Sequence, residues 1–324
     1  MHITTPFVSA PRRTRWAQRI CAALVASLGF FTLAACGGSG DDDVDRGPTT
    51  IEVQTKLHGL YWDASAAKLY LTDDDVAANA IKVWDGKDQF TVAYPLPAMQ
   101  AEQRPTLGQL TRAGDGKLYV TRFGFGSYGT VVAAPAAGQP YNLTGLAGDR
   151  RRLPLTPTAD GKLLTGWFRG GGSGPSGVIS EITLGTGTQA SERDLITGLS
   201  KPAGLVVRGD QVIVSDQGSG KILAYSLAAI RTQPSTAAEG RLVAQFTSAD
   251  SLDLMTSGAD GTLYFGTGTG SLYAVDSQGG FKALATGWPG IRGVAVDNAN
   301  RRLFAAVGAV QADGPSSIRI VPLD

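Results

Sequence analysis

Cysteine is almost absent from this chain. Its 324 residues hold two, Cys21 and Cys36, both ahead of the repeats described below. No disulfide can brace the remainder, so its stability must come from packing. Histidine is equally scarce, with His58 the only one beyond the first few residues. That excludes structural zinc sites of the Cys and His kind and a cysteine nucleophile downstream of Cys36. Any Ser-His-Asp triad has to pass through His58. A G-x-S-x-G elbow is missing too, since "GGSGP" and "FGSYG" each lack one glycine. Helical periodicity is nearly absent: "YSLAAIRTQPSTAAEG" is the longest candidate, and Pro234 interrupts it. Charge of one sign is not in excess either, with 29 Lys and Arg against 28 Asp and Glu.

What is present begins with a leader. "PRRTRWAQR" is basic, "ICAALVASLGFFTLA" is apolar and "LAAC" ends in small residues, the order of a secretory signal over residues 1–35. The pair Arg12-Arg13 lacks the apolar residues that should follow in a twin-Arg signal. Leu33-Ala34-Ala35-Cys36 resembles the bacterial lipobox, which implies that Cys36 is lipidated and becomes the mature N-terminus. In that lipoprotein family, Gly37 rather than Asp after the cysteine implies the outer membrane, facing the periplasm. "GGSGDDDVDRGPTT" has little to bury and is expected to be a flexible tether over residues 36–49. Without residues 1–35 the chain has 289 residues and a net charge near −3. That balance argues against nucleic acid as a partner.

A repeat fills the rest. "AAKLYLTD", "DGKLYVTR", "DGKLLTGW", "GDQVIVSD", "DGTLYFGT" and "NRRLFAAV" align on Leu69, Leu118, Leu163, Val212, Leu263 and Leu303. The intervals are 49, 45, 49, 51 and 40 residues, the period of propeller blades. Each unit reads as up to four strands separated by Gly, Asp or Asn turns. The sixth unit shows no fourth strand, and the segment Ile51 to Leu57 before the first unit is expected to supply it. Residues 50–324 are therefore expected to form an all-β, six-bladed β-propeller, closed by an N-terminal strand that completes the last blade.

Several motifs reduce to blade parts. "GFGSYG" matches G-x-G-x-x-G, but "TVVAAP" follows it as a strand, where a dinucleotide site needs a helix. "FRGGGSGPSG" lacks the Lys-Ser/Thr of a phosphate loop. The acids at 73–75 lack the spacing of a calcium loop and read as a solvated hairpin tip.

In a propeller, the starts of the first strands and the ends of the second line one mouth of the central channel. The starts contribute His58, Arg152, Ala203, Asp253 and Arg292, and the ends contribute Asp73 to Asp75, Arg122, Trp167, Arg169 and Asp216. The candidate ligand-binding set is His58, Arg122, Arg152, Trp167, Asp253 and Arg292, since guanidinium forks suit carboxylates and phosphates. Trp167 and Phe123 are expected to add apolar contact. Arg292, one blade after Asp253, is expected to balance its charge.

"GLYWD…KLYLTD" and "LVVRGDQVIVSDQGSGKILAYSL" resemble the superfamily of gluconolactonases, senescence-marker-type lactonases and NHL-like propellers, over roughly the whole repeat region. The resemblance implies a divalent cation held by Glu, Asn and Asp at positions that here carry His58, Ala203 and Asp253. Only Asp253 keeps an oxygen ligand of that set, and a hard cation such as calcium wants six to eight oxygens. Two functions remain from the sequence. One is a membrane-anchored propeller that binds a small molecule or an envelope protein at its mouth and needs no cofactor. The other is a metal-dependent, lactonase-like hydrolase with Asp253 as metal ligand.

Overall fold

The computed structural model describes residues 49–323, apart from 74, 76–78, 88, 100–105, 126, 171–175 and 310–313. The expected leader, Cys36 and residues 36–48 of the tether lie outside the described residues.

Six antiparallel sheets follow one another along the chain. The first blade runs Leu57–Asp63, Lys68–Asp73, Ala80–Trp84 and Phe90–Pro95 in that spatial order. Second strands are apolar over most of their length because both of their faces are buried. Leu69 and Leu71 pack toward blade six, while Tyr70 between them packs toward blade two. Val212 and Val214 likewise pack toward blade three, and Ile213 toward blade five. Alternation of side chains along a strand makes one run of residues serve two interfaces. Among the described residues, six apolar clusters result, one between each pair of neighbouring blades.

The ring closes as expected, with one adjustment of bounds. Thr50–Val53 pairs antiparallel with Ser316–Pro322 and becomes the outer strand of blade six. Leu57, expected in the closing strand, instead begins the inner strand of blade one. Ile51 and Val53 join Leu57, Leu71, Trp84 and Phe304 in the cluster between blades six and one.

Two features depart from the plain repeat. The outer strand of blade two shrinks to Tyr141–Asn142. The segment that gave the best helical signal does hold a short helix, Leu227–Thr232, whose Ser226 side chain accepts from the Ala229 N–H. After it, Ser235–Thr236 crosses to blade three and adds a fifth strand there, parallel to Ala190–Leu199.

The inner strands carry a device that recurs in all six blades. Each pairs with its second strand in register except at the mouth end, where the register shifts. The shifts fall between Leu57 and Leu60, Leu107 and Leu110, Arg152 and Leu155, Pro202 and Gly204, Leu252 and Met255, and Ile291 and Gly293. Such bulges re-aim the side chains within them. Hydroxyls on the second strands satisfy freed amides: Gly59 N–H donates to Thr72 at 2.8 Å and Gly204 N–H to Ser215 at 2.7 Å.

A chain beginning at Thr49 keeps every described residue and should keep its thermal midpoint. A chain beginning at Leu57 loses the closing strand and the burial of Ile51 and Val53, which costs about 3–6 kcal/mol. Thermal unfolding monitored by circular dichroism compares the two, and equal midpoints would overturn the closing role.

Candidate functional site

The bulges decide which side chains reach the channel mouth. Residues inside them are His58, Leu153, Ala203, Asp253 and Arg292, with Gly108 as the blade-two equivalent. Residues just before them, Leu57, Leu107, Pro202, Leu252 and Ile291, are buried between blades. In blade three that buried position is Arg152.

His58, Asp253 and Arg292 therefore stand where the sequence placed them, and they meet. Asp253 is 1% exposed. Its Oδ2 accepts from Arg292 Nη1 at 3.1 Å, and its Oδ1 lies 3.7 Å from His58 Nε2. Asp253 Oδ1 also accepts the N–H of Leu254 at 3.0 Å. The Arg292 side chain is half exposed, so one end of its guanidinium neutralises a buried carboxylate while the rest faces the mouth.

Arg152, Arg122 and Trp167 are placed elsewhere, turned into the blades. Arg152 Nη2 donates to Glu192 on the outer strand of its own blade, at 2.8–3.0 Å, and to the Ala147 carbonyl at 3.2 Å. Desolvation holds its guanidinium below the ordinary arginine value, against the Glu192 carboxylate. Arg122 donates to Asn142, Asn79 and the Pro97 carbonyl, which ties blades one and two together. Burial without a carboxylate lowers it to about 10. Trp167 donates its indole N–H to Ser180 at 2.6 Å, under the Arg150 guanidinium.

A shared geometry explains all three. The ends of the second strands pair with the buried pre-bulge positions: Leu107 with Arg122, Arg152 with Trp167, Leu57 with Asp73 and Pro202 with Asp216. Partners across an antiparallel ladder share a face, so these ends point between blades as well. Asp73 is accordingly buried, not the solvated tip expected; it accepts from Thr55 and from Asp75 N–H and pairs with Lys82 at 2.6 Å. Arg169 makes an exposed pair with Asp149 at 2.7 Å. Asp216 accepts the N–H groups of Ser200 and Lys201 and the Ser219 hydroxyl.

The neighbours of the misplaced residues form the mouth in their stead. Phe123, which follows Arg122, packs with Leu153, Ala203 and Leu254 into an apolar floor drawn from blades two to five. Phe168, which follows Trp167, covers that floor and meets the Phe123 ring edge-on at 5.6 Å. Arg151, which precedes Arg152, lies 5.3 Å from the Phe125 ring. Lys201, whose backbone Asp216 holds, places its ammonium 5.5 Å over Phe168. The Phe123 contact was legible in the sequence, whereas Lys201 and Phe168 carried no signal, because both sit beside the positions that the repeat aligns.

No family model matches the chain, and no curated protein matches it in sequence. Solved structures do. A gluconolactonase from Xanthomonas campestris is 17% identical with a TM-score of 0.62, covering 83% of this chain and 88% of that one. The calcium-binding protein regucalcin from Agrobacterium tumefaciens is 15% identical with a TM-score of 0.60, covering 84% and 96%. A PQQ-bound aldose sugar dehydrogenase from Streptomyces coelicolor is 14% identical with a TM-score of 0.62, covering 85% and 96%. The fold is that of the gluconolactonase and regucalcin propellers.

The cation implied by that likeness does not fit the residues present. Ala203 brings no donor and is part of the apolar floor. Asp253 is engaged by Arg292, and Lys201 adds a further positive charge nearby. Among the described residues no group of three or more His, Cys, Asp or Glu comes together to hold a metal ion. A hard cation needs several oxygens and tolerates no guanidinium on its one carboxylate.

The backbone spacing that builds the mouth is also testable. A Cβ on Gly293 would lie 2.1 Å from the His58 carbonyl oxygen, a contact that only backbone movement relieves. Gly293→Ala should cost about 1–3 kcal/mol and shift the His58 resonance. Gly114, with open space around it, should accept Ala within about 0.5 kcal/mol. Chemical denaturation of both variants checks the contrast, and equal stabilities would contradict the close approach of blades six and one.

Proposed function

We propose that this protein is an exported, lipid-anchored propeller whose channel mouth binds a small molecule without a metal. The observation that carries the reading is the internal neutralisation of Asp253, buried against Arg292 at 3.1 Å and beside His58, over a floor that includes Ala203. A carboxylate spent on an arginine is a positioning element, not a metal ligand. Solved propellers of similar fold include a gluconolactonase, a sugar dehydrogenase and a lyase, so the architecture serves small-molecule sites. A floor of a few apolar side chains suits such a molecule better than it suits an envelope protein.

The address rests on the leader. Lipidation of Cys36, with Gly37 behind it, would hold the propeller at the outer membrane in the periplasm, with no nucleic acid in reach. Among the described residues no helix is long and apolar enough to cross a membrane. Cys36→Ser should move the protein from the membrane to the soluble fraction and leave its unfolding midpoint unchanged; retention in the membrane would refute the lipid anchor.

Metal content tests the mouth. Protein purified with and without chelator should hold well under one cation per chain, and Asp253→Asn should not change that. A single stoichiometric cation released by Asp253→Asn would replace the binding reading with the hydrolase.

A further inference from the structure

The mouth is divided into two halves. Blades four, five, six and one contribute Lys201, Asp253, Arg292 and His58, and blades two and three contribute Phe123, Phe125 and Phe168, with a floor drawn from blades two to five between them. Arg292 is matched by Asp253, but neither Lys201 nor Arg151 forms an ion pair among the described residues. Both cations lie over the aromatic half instead, Lys201 over Phe168 and Arg151 over Phe125 and Phe123. Some cations elsewhere find carboxylates, as Arg152 takes Glu192, Arg112 takes Asp63 and Arg302 takes Asp297, whereas Arg122 rests on neutral acceptors.

The apolar half is open where such surface is normally covered. Phe125 is 47% exposed and packs against Phe123 at 4.9 Å, beside a floor that is itself buried. Aromatic faces with cations above them bind flat apolar bodies by stacking and hold an anionic group by charge. Burial keeps the Lys201 ammonium below the ordinary lysine value, with Asp253 opposing and Arg292 adding to the shift. An anion at that ammonium would pair with a charge that forms no ion pair among the described residues.

We propose that the ligand of the mouth is an organic anion with a flat, apolar body, such as an aryl carboxylate, whose charged group meets Lys201 and Arg151 while its body lies against Phe168 and Phe125. This deepens the small-molecule reading above and rests on it. Lys201 is then the residue that selects charge, and Phe168 the one that selects an apolar body. A neutral sugar lactone meets neither requirement.

Three probes separate the terms: 2-naphthoate has both charge and body, acetate has charge alone, and 2-naphthalenemethanol has body alone. Calorimetric titration of the purified protein should show 2-naphthoate bound once per chain, at least about tenfold tighter than either of the others. Lys201→Met should remove about tenfold of that affinity and Lys201→Arg should restore most of it, with the unfolding midpoint unchanged in both. Phe168→Ala should weaken 2-naphthoate and the alcohol alike. Equal affinity for acid and alcohol, both weakened by Phe168→Ala, would overturn the anion class while leaving the mouth as the binding site. Binding that neither Lys201→Met nor Phe168→Ala changes would overturn the mouth reading itself. Failure of 2-naphthoate to bind at all would overturn the proposed ligand class.

Discussion

Six inner strands have to approach one axis, and nearly every feature of the mouth follows from that crowding. The approach is close enough that a Cβ on Gly59 would lie 2.3 Å from the Gly108 oxygen, and one on Gly108 2.4 Å from the Leu153 oxygen. Glycine is tolerated there for want of space, not for an unusual backbone angle. Each strand answers the same crowding with a bulge at its mouth end, and the bulge turns one side chain per blade toward the channel. Position along the strand thus becomes position around a ring. His58, Asp253 and Arg292 come together from blades one, five and six because they occupy the same slot in three copies of one repeat.

Burial then sorts the charges. A buried guanidinium or carboxylate costs several kcal/mol unless it finds a partner, so substitutions at the pre-bulge slot are accompanied by compensating residues. Arg152 occupies a slot that other blades fill with Leu, Ile or Pro, and Glu192 stands opposite it on the outer strand of its blade. Arg122 is satisfied by neutral acceptors on two blades, which makes it a tie between loops. Asp216 spends its carboxylate on the backbone that carries Lys201. These groups shape the mouth from behind without touching its contents. Lys201 and Arg151 differ in kind, since their charges face the aromatic half and the channel.

The relation to the gluconolactonase and regucalcin propellers is one of architecture. Shared slots persist while their occupants change, as Ala203 and His58 show against the ligand set that the resemblance implies. The ring supplies rigidity and a ready position at the axis. The chemistry depends on a handful of side chains that blade packing leaves free to vary.

The sequence by itself determined the blade count, the closing strand and the lack of cysteines within the blades. A period of 40–51 residues and the alternation within each strand survive any local detail. It also grouped His58, Asp253 and Arg292 with Arg122, Arg152 and Trp167, of which the structure brings the first three together. Tertiary structure decided which neighbour of each aligned residue faces the channel. Side chains alternate with a period of two, so in blade three the one-residue bulge puts Leu153 in the channel slot expected for Arg152, and the ladder pairing exchanges Trp167 for Phe168. It likewise decided that Ser235–Thr236 should serve blade three and that Lys201 should stand over Phe168. Those outcomes depend on contacts between blades, and no stretch of a single repeat contains them.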